Sequence, residues 1–283
     1  MLEALPLDLH GKVNHNQQGQ GKLHNFETLK FETSNRISKI TLNRPDAANG
    51  LNNLMSRELC EAAQICDADT SIKAVILTAN GKFFCAGGDL KAMAGFQDDI
   101  ARQIKILAND LHMAISTFSR MEHPLIIAVN GMAAGAGFSL AATGDYVIAG
   151  AGAAFTMAYT KAGLSPDGSS SYFLPRLIGL RRTQDLMLTN RMLSATEAQE
   201  WGVVSEVAED DALQDRAMEI AQMFTEGSSA AHGVVKKLLL GTFNNSLETQ
   251  MEIEGRFITE CASSSDGKEG IAAFAERRKP SFM

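Results

Sequence analysis

Three places in the chain carry residue types that could act on a substrate. Two are turns of small residues, Cys85-Ala86-Gly87-Gly88-Asp89 and Ala133-Ala134-Gly135-Ala136-Gly137. The third is an acid in a turn, Asp167 of Gly163-Leu164-Ser165-Pro166-Asp167-Gly168-Ser169. Small residues leave main-chain N–H groups open to close approach. At a helix start those groups lack intrahelical acceptors and sit at the positive end of the helix dipole, which suits an anion. Two of them converging on one oxygen would form an oxyanion hole for an enolate, where removal of a single donor costs roughly 3–4 kcal/mol in a well-studied hydrolase. A carboxylate nearby could take the proton whose loss creates the enolate. The plainer alternatives are ordinary helix-start glycines, and a turn or N-cap role for Asp167. Nucleotide-binding loops are excluded, since Gly135-Ala136-Gly137 lacks the third glycine of GxGxxG and no Gly-Lys-Ser/Thr occurs.

The elements that must position these residues follow from periodicity. Alternation over Thr28–Glu32 and Ile37–Leu42, with Ser34-Asn35-Arg36 between, predicts two paired strands. Asn43-Arg44-Pro45 ends the second, because proline cannot continue a ladder. Met55, Leu59, Ala62, Ala63 and Cys66 have helical spacing, so a helix is expected over 53–68. Ala74–Thr78, Leu125–Val129 and Tyr146–Ala149 are continuous apolar runs, as buried strands require. The first Gly-rich turn follows the first of these runs, and a long helical stretch to about Arg120 comes after it. The second turn follows the second run and opens another helix, so a strand–turn–helix unit occurs twice, at 74–93 and 125–143. Beyond Pro166 the pattern is helical, near 181–189, 195–201, 211–225, 229–240 and 246–262. These patterns predict an α/β core over 27–205 and a C-terminal helical region over 206–283 that serves assembly, preceded by a polar leader over 1–26 that is disordered or foreign to the fold.

Composition removes several function classes. The 283 residues are 45% hydrophobic, enough for a sizeable core. Net charge is −7 and no basic run exceeds Arg277-Arg278-Lys279, so nucleic-acid binding is not expected. The longest apolar run, Pro124 to Ala151, contains Asn130 and Asp145 and reads as core rather than membrane span. The four cysteines lack CxxC spacing and the six histidines form neither HxH nor HxxxH. Reduced thiols, no metal and a cytoplasmic protein are therefore expected.

Several segments in a fixed order carry a family resemblance. Phe83-Phe84-Cys85-Ala86-Gly87-Gly88-Asp89-Leu90-Lys91, followed by Ala128-Val129-Asn130-Gly131-Met132-Ala133-Ala134-Gly135-Ala136-Gly137, resembles the crotonase (enoyl-CoA hydratase/isomerase) family. Leu42–Asn49 is similar to the family's first CoA-contact stretch. Leu193–Ala198, Gly202-Val203-Val204 and the closing Phe274–Pro280 match its later signatures. The resemblance spans about residues 27–281. It implies a spiral of ββα units with a C-terminal helical region, a homotrimer or dimer of trimers, and an acyl-CoA thioester as partner. Coenzyme A then belongs to the substrate and no separate cofactor is required. The resemblance carries the two oxyanion donors onto the N–H groups of Gly88 and Ala136. It carries substrate or CoA contacts onto Arg44, Ala47, Ala48, Ala86, Gly87, Asp89, Leu90, Lys91, Met132, Ala133, Gly135, Tyr159, Leu164, Phe274 and Lys279. Arg44 and Lys91 either meet CoA phosphates or lie on a solvated surface. Arg277, Arg278 and Lys279 either reach the nucleotide end of CoA or form a solvated tail. Phe274 either lines that boundary or anchors the core.

One departure bears on the reaction. The resembling hydratases use two glutamates, and these align with Ser139 and Tyr159. Hydroxyls near neutral pH are poor general bases. Between His123 and Asp185 the only acids are Asp145 and Asp167. Asp145 is expected to be structural, and so are His112 and His123. Asp167 occupies the Pro-Asp position of isomerase-type members, ring-epoxide phenylacetyl-CoA isomerases included. Phe138, Tyr159, Leu164 and Tyr172 are expected to surround and partly desolvate it, strengthening it as a base. One base suffices to shift a double bond, so isomerisation is the expected activity. Hydration, thioester hydrolysis or dehalogenation with Asp167 as nucleophile, and binding without catalysis are the alternatives. The 101–116 helix is expected to wall the acyl site.

Overall fold

A computed structural model of the protein describes residues 25–282. The leader expected over 1–26 lies outside the described residues up to residue 24. Phe26, its last member, sets its ring against Phe31 with centroids 6.1 Å apart. Strands β1 (Leu29–Ser34) and β2 (Ile37–Leu42) pair antiparallel, Leu29 opposite Leu42. Asn35 and Arg36 make the turn with φ of 51° and 67°, as a two-residue hairpin requires. Helix α1 (Asn53–Ala68) starts where the Asn52 side chain accepts the Met55 amide. It buries Met55, Leu59, Ala62, Ala63 and Cys66, the stripe read from the sequence.

A long strand, a short strand and a helix then recur three times. The first unit is β3 (Ala74–Ala79), β4 (Phe83–Cys85) and α2 (Leu90–Ala94), followed by α3 (Ile100–Arg120). The second is β5 (Leu125–Val129), β6 (Met132–Ala134) and α4 (Ala136–Ala141). The third is β7 (Tyr146–Gly150), β8 (Ala154–Thr156) and α5 (Ser170–Thr189), which is kinked at Gly179. The chain closes with β9 (Leu193–Ser194), α6 (Ala195–Trp201), β10 (Glu206–Ala208), α7 (Leu213–Thr225), α8 (Ser229–Gly241), α9 (Leu247–Ser263) and α10 (Ser265–Glu276). These are the ββα units that the resemblance implies. Sequence periodicity saw two of the three, because a three-residue strand is too short to show alternation.

Long strands form one sheet, in the order β1-β2-β3-β5-β7-β10, and short strands a second, β4-β6-β8-β9. Each unit therefore advances both sheets by one strand, in parallel: Ile76 pairs with Ile126 in the first, and Phe83 with Met132 in the second. Both faces of the larger sheet are covered, which explains its uninterrupted apolar strands. Val75 and Leu77 face the main core, while Ile76, Ile126 and Ile148 face Leu213, Ala217 and Ile220 of α7. Residues 206–225, expected in the C-terminal region, thus complete the sheet and cover it. The apolar run from Pro124 to Ala151 is divided among β5, β6, α4 and β7. No helix among the described residues is long and apolar enough to cross a membrane.

Candidate active site

The first Gly-rich turn joins β4 to α2 and is held by the loop before α1. The Ala86 amide donates to the Ala48 carbonyl (3.0 Å), the Leu51 amide to the Gly87 carbonyl (2.7 Å), and the Asp89 amide to the Leu51 carbonyl (2.9 Å). Asn49, fully buried, spans that loop: its Nδ2 donates to the carbonyls of Asn80 and Phe83, each at 2.8 Å. Asp89 caps α2 through the Ala92 amide (3.0 Å) and pairs with the Arg44 guanidinium (3.0 Å), whose Nη1 donates to the Gly50 carbonyl. Burial works against the Asp89 carboxylate, yet the Ala92 amide and Arg44 outweigh it and hold its pKa below the ordinary value. Arg44 and Asp89 are thus paired, and Arg44 has a structural part in holding the first turn.

The second turn joins β6 to α4. The Gly135 amide donates to the Thr156 carbonyl (3.0 Å), and Gly135 takes φ 52°, ψ −122°, a conformation reserved for glycine. The parallel pairing of β4 with β6 sets the two turns side by side. A Cβ at Gly87, whose φ is 93°, would lie 2.8 Å from the Ala134 carbonyl oxygen and 3.3 Å from the Ala136 nitrogen. Among the described residues, no hydrogen bond engages the Gly88 or Ala136 amide, while the Asp89 and Gly135 amides beside them are taken. The short helices add little dipole here: α2 has five residues and begins two positions after Gly88, and α4 has six. The Gly88 donor is set by loop bonding, and the Ala136 donor is the first amide of α4. Met93 lies over the first donor, with its Cε 2.5 Å from where a Gly88 Cβ would stand.

Both amides open into a cavity of about 410 Å³. Ala86, Gly87, Leu90, Gly135, Tyr159, Leu164 and Asp167 line it too, so the structure gathers half of the expected site residues here. Ile104, Leu107, Ala108 and Leu111 of α3 form one wall, the one expected from the 101–116 stretch. Asp167 is not the N-cap of α5, which begins at Ser170 after Ser169. Its main-chain carbonyl is gripped by three hydroxyls: Ser139 Oγ at 2.7 Å, Ser170 Oγ at 3.0 Å and Tyr159 Oη at 3.1 Å. Ser139 and Tyr159 therefore hold the backbone of this acid. Burial raises the pKa of the Tyr159 phenol, so it stays protonated and serves as a donor.

The Asp167 side chain departs from expectation. Phe138 packs against Phe155 in the core, 5.2 Å between centroids, and lines no part of this cavity. The carboxylate is not enclosed by aromatic rings. Its side chain is 39% exposed, and its Oδ1 lies 2.7 Å from His112 Nε2. His112, expected to be structural, is thus the polar partner of the candidate base. The signal was available: His112 continues the Ile104, Ala108 register of α3, a polar residue on an otherwise apolar stripe. Asn49 and Met93 carried no comparable signal, since their roles depend on long-range loop contacts.

The remaining expected residues stand off the cavity lining. Ala47 and Ala48 belong to the loop that braces the first turn, and Met132 and Ala133 form β6 beneath the second. Lys91 is exposed on α2. Phe274 is 88% exposed on α10, so the core-anchor alternative fails. Lys279 pairs with Glu226 (2.9 Å), and Arg278 with Glu269 and Glu276. Asp145 is structural as expected: its Oδ2 accepts the Leu125 amide (2.7 Å) and pairs with buried Lys236 (2.6 Å). All four cysteines are free, and burial pushes the Cys66 and Cys85 thiols up to about 12, too high for nucleophilic use.

Comparison with known proteins agrees with this geometry. The enoyl-CoA hydratase/isomerase family model matches residues 32–283. The chain is 35% identical over 261 residues to a 1,2-epoxyphenylacetyl-CoA isomerase of Escherichia coli (strain K12), covering 91% of this chain and 98% of that one. It is 33% identical over 247 residues to a 2,3-dehydroadipyl-CoA hydratase of the same organism, covering 87% and 95%. The crystal structure of an enoyl-CoA hydratase from Polaromonas sp. JS666 superposes with a TM-score of 0.86 at 30% identity, covering 90% of this chain and 99% of that one. Two free amides above an acyl-sized cavity, the ββα spiral that holds them and these matches all converge: the chain belongs to the enoyl-CoA hydratase/isomerase family, the crotonase superfamily.

Proposed function

We propose that this acyl-CoA enzyme is an isomerase that moves a double bond through a thioester enolate, with Asp167 as its base. The Gly88 and Ala136 amides receive the thioester oxygen. Asp167 removes a proton from C2 of a 3-enoyl thioester, negative charge spreads onto the held oxygen, and the proton returns at C4. The double bond thereby moves from C3–C4 to C2–C3. Two such donors hold the developing charge where each is worth roughly 3 kcal/mol, and a positioned base adds about 10²- to 10⁴-fold. The supporting observation is that both free amides and a single carboxylate line one cavity, while Ser139 and Tyr159, which the family resemblance sets against the hydratase glutamates, are hydroxyls bonded to the Asp167 carbonyl. Water addition needs a second acid–base group on the substrate, and these residues do not supply one.

Lys91, exposed beside the first turn, is proposed to meet a CoA phosphate. The C-terminal helices are proposed to join chains into trimers or pairs of trimers. In support, α8 to α10 and the loop after α8 leave Leu239, Phe243, Leu247, Met251, Ile258 and Phe274 exposed, apolar side chains that a partner chain would cover.

A product assay tests the reaction. The protein is given a 3-enoyl-CoA and, separately, a 2-enoyl-CoA, and products are separated by mass. The isomerase reading predicts 2-enoyl-CoA from the first and little 3-hydroxyacyl-CoA from the second. Rapid gain of one water by the 2-enoyl-CoA, undiminished in Asp167→Asn, would show hydration by another base. An acyl adduct on Asp167 would show the nucleophile chemistry instead.

A further inference from the structure

The Asp167–His112 pair stands between two cavities. One is the acyl cavity beneath the Gly88 and Ala136 amides. The other, of about 750 Å³, lies between the C-terminal half of α3, the start of α5 and the end of α8. Its lining is mixed and carries the polar side chains of Ser116, Arg120, Ser171, Lys237 and Asn244. His112 and Asp167 belong to the walls of both. Among the described residues, His112 Nε2 is the one group bonded to the Asp167 carboxylate, at 2.7 Å. The main chain of Asp167 is fixed separately by Ser139, Tyr159 and Ser170, so the imidazole is not needed to hold the turn. The ring is itself exposed, with no described bond to Nδ1.

We propose that His112 is a proton relay between Asp167 and the water of the second cavity. This rests on the isomerase reading and adds to it the fate of the abstracted proton. Asp167 takes the C2 proton and becomes a carboxylic acid. Neutral His112 accepts that proton at Nε2, and the imidazolium releases the one on Nδ1 to water. The reverse sequence brings a solvent proton to Asp167, which delivers it to C4. Only C–H, O–H and N–H bonds form and break, and no redox change occurs. Without the relay, the proton stays on Asp167 until it is returned, so the same hydrogen is carried from C2 to C4.

The test uses a 3-enoyl-CoA carrying deuterium at both C2 positions, turned over in ordinary water by the wild type, His112→Gln and His112→Ala. Mass spectrometry of fragments reads the share of product with deuterium at C4. The relay predicts low retention in the wild type and at least threefold higher retention in both variants, with turnover within about tenfold and unchanged unfolding midpoints. Added imidazole should return His112→Ala toward wild-type washout. Equal retention in all three proteins while the double bond still migrates overturns the relay and leaves the isomerase standing. A wild type that moves no double bond and washes no deuterium from C2 overturns both.

Discussion

Ser139 and Tyr159 are hydroxyl residues at positions where relatives that hydrate are expected to carry carboxylates. Here they donate to one carbonyl, that of Asp167, and so fix the turn from which its carboxylate projects. Each such bond contributes roughly 1 kcal/mol net, and misplacing a base by a fraction of an ångström lowers rate more than affinity. Tyr159→Phe is expected to lower kcat about tenfold with KM changed less than twofold; a steady-state comparison at saturating thioester checks this, and an effect confined to KM would assign Tyr159 to binding alone. At this scale the sequence shows Asp167 plainly, because it is one of two acids in a long interval and sits in a Pro-Asp-Gly turn. It does not show the direction of the carboxylate. That depends on α3 passing His112 in front of it, a contact across 55 positions.

The elements matter because two short strands bring two turns together. Gly87 is the closest point, with positive φ and the Ala134 carbonyl oxygen 2.8 Å from a Cβ it lacks. Gly87→Ala is expected to cost about 1–3 kcal/mol of stability and to separate the Gly88 and Ala136 amides, lowering kcat at least tenfold. Urea unfolding and kinetics read the two effects independently. Arg44 and Asp89 act at the same scale, tying the loop before α1 to the first turn. Arg44→Met is expected to remove about 1.5–3 kcal/mol. The pair also has a pH signature. The folded-state pKa of Asp89 is depressed, so its contribution is fully present above the ordinary carboxylate value, about 3.9, and is lost as pH falls through the depressed value. The stability gap between wild type and Asp89→Asn should stay level from pH 7 to about 4 and close below it; a gap that widens on acidification would contradict the assignment. The long strands and most helices were legible because each has several turns or pleats of regular spacing. Strands β4, β6 and β8, three residues each, were not. They are the ones that align the turns.

The whole molecule is a two-sheet spiral with a strut at its back. Lys236 of α8 reaches into the core, where its ammonium meets Asp145 and the carbonyls of Phe118 and His123, each 2.9 Å away. Lys236→Met would take the donor from two carbonyls and from the Asp145 carboxylate, itself 29% exposed, and is expected to cost about 1–3 kcal/mol, read from urea unfolding; no measurable loss would mean that water replaces the lysine. Further out, the exposed apolar residues of α8 to α10 predict association. Phe243→Glu together with Leu247→Glu should shift sedimentation from a multiple of the chain mass to the single chain, and an unchanged mass would place the contact elsewhere. The sequence disclosed the helices of this region, yet not which of their apolar residues lack a partner within the chain. Amphipathic spacing reads the same whether the covering surface is the chain's own or a second copy.

The central claim is that one carboxylate, facing two free amides, makes and quenches a thioester enolate. Its most direct test is a 3-enoyl-CoA incubated in D2O with wild type and Asp167→Asn, following double-bond migration and deuterium uptake by mass spectrometry. The account predicts migration with deuterium gain in the wild type and a loss of about 10²- to 10⁴-fold in both signals for the variant, at unchanged thioester affinity. Equal migration by the two proteins would contradict it and remove Asp167 from the chemistry.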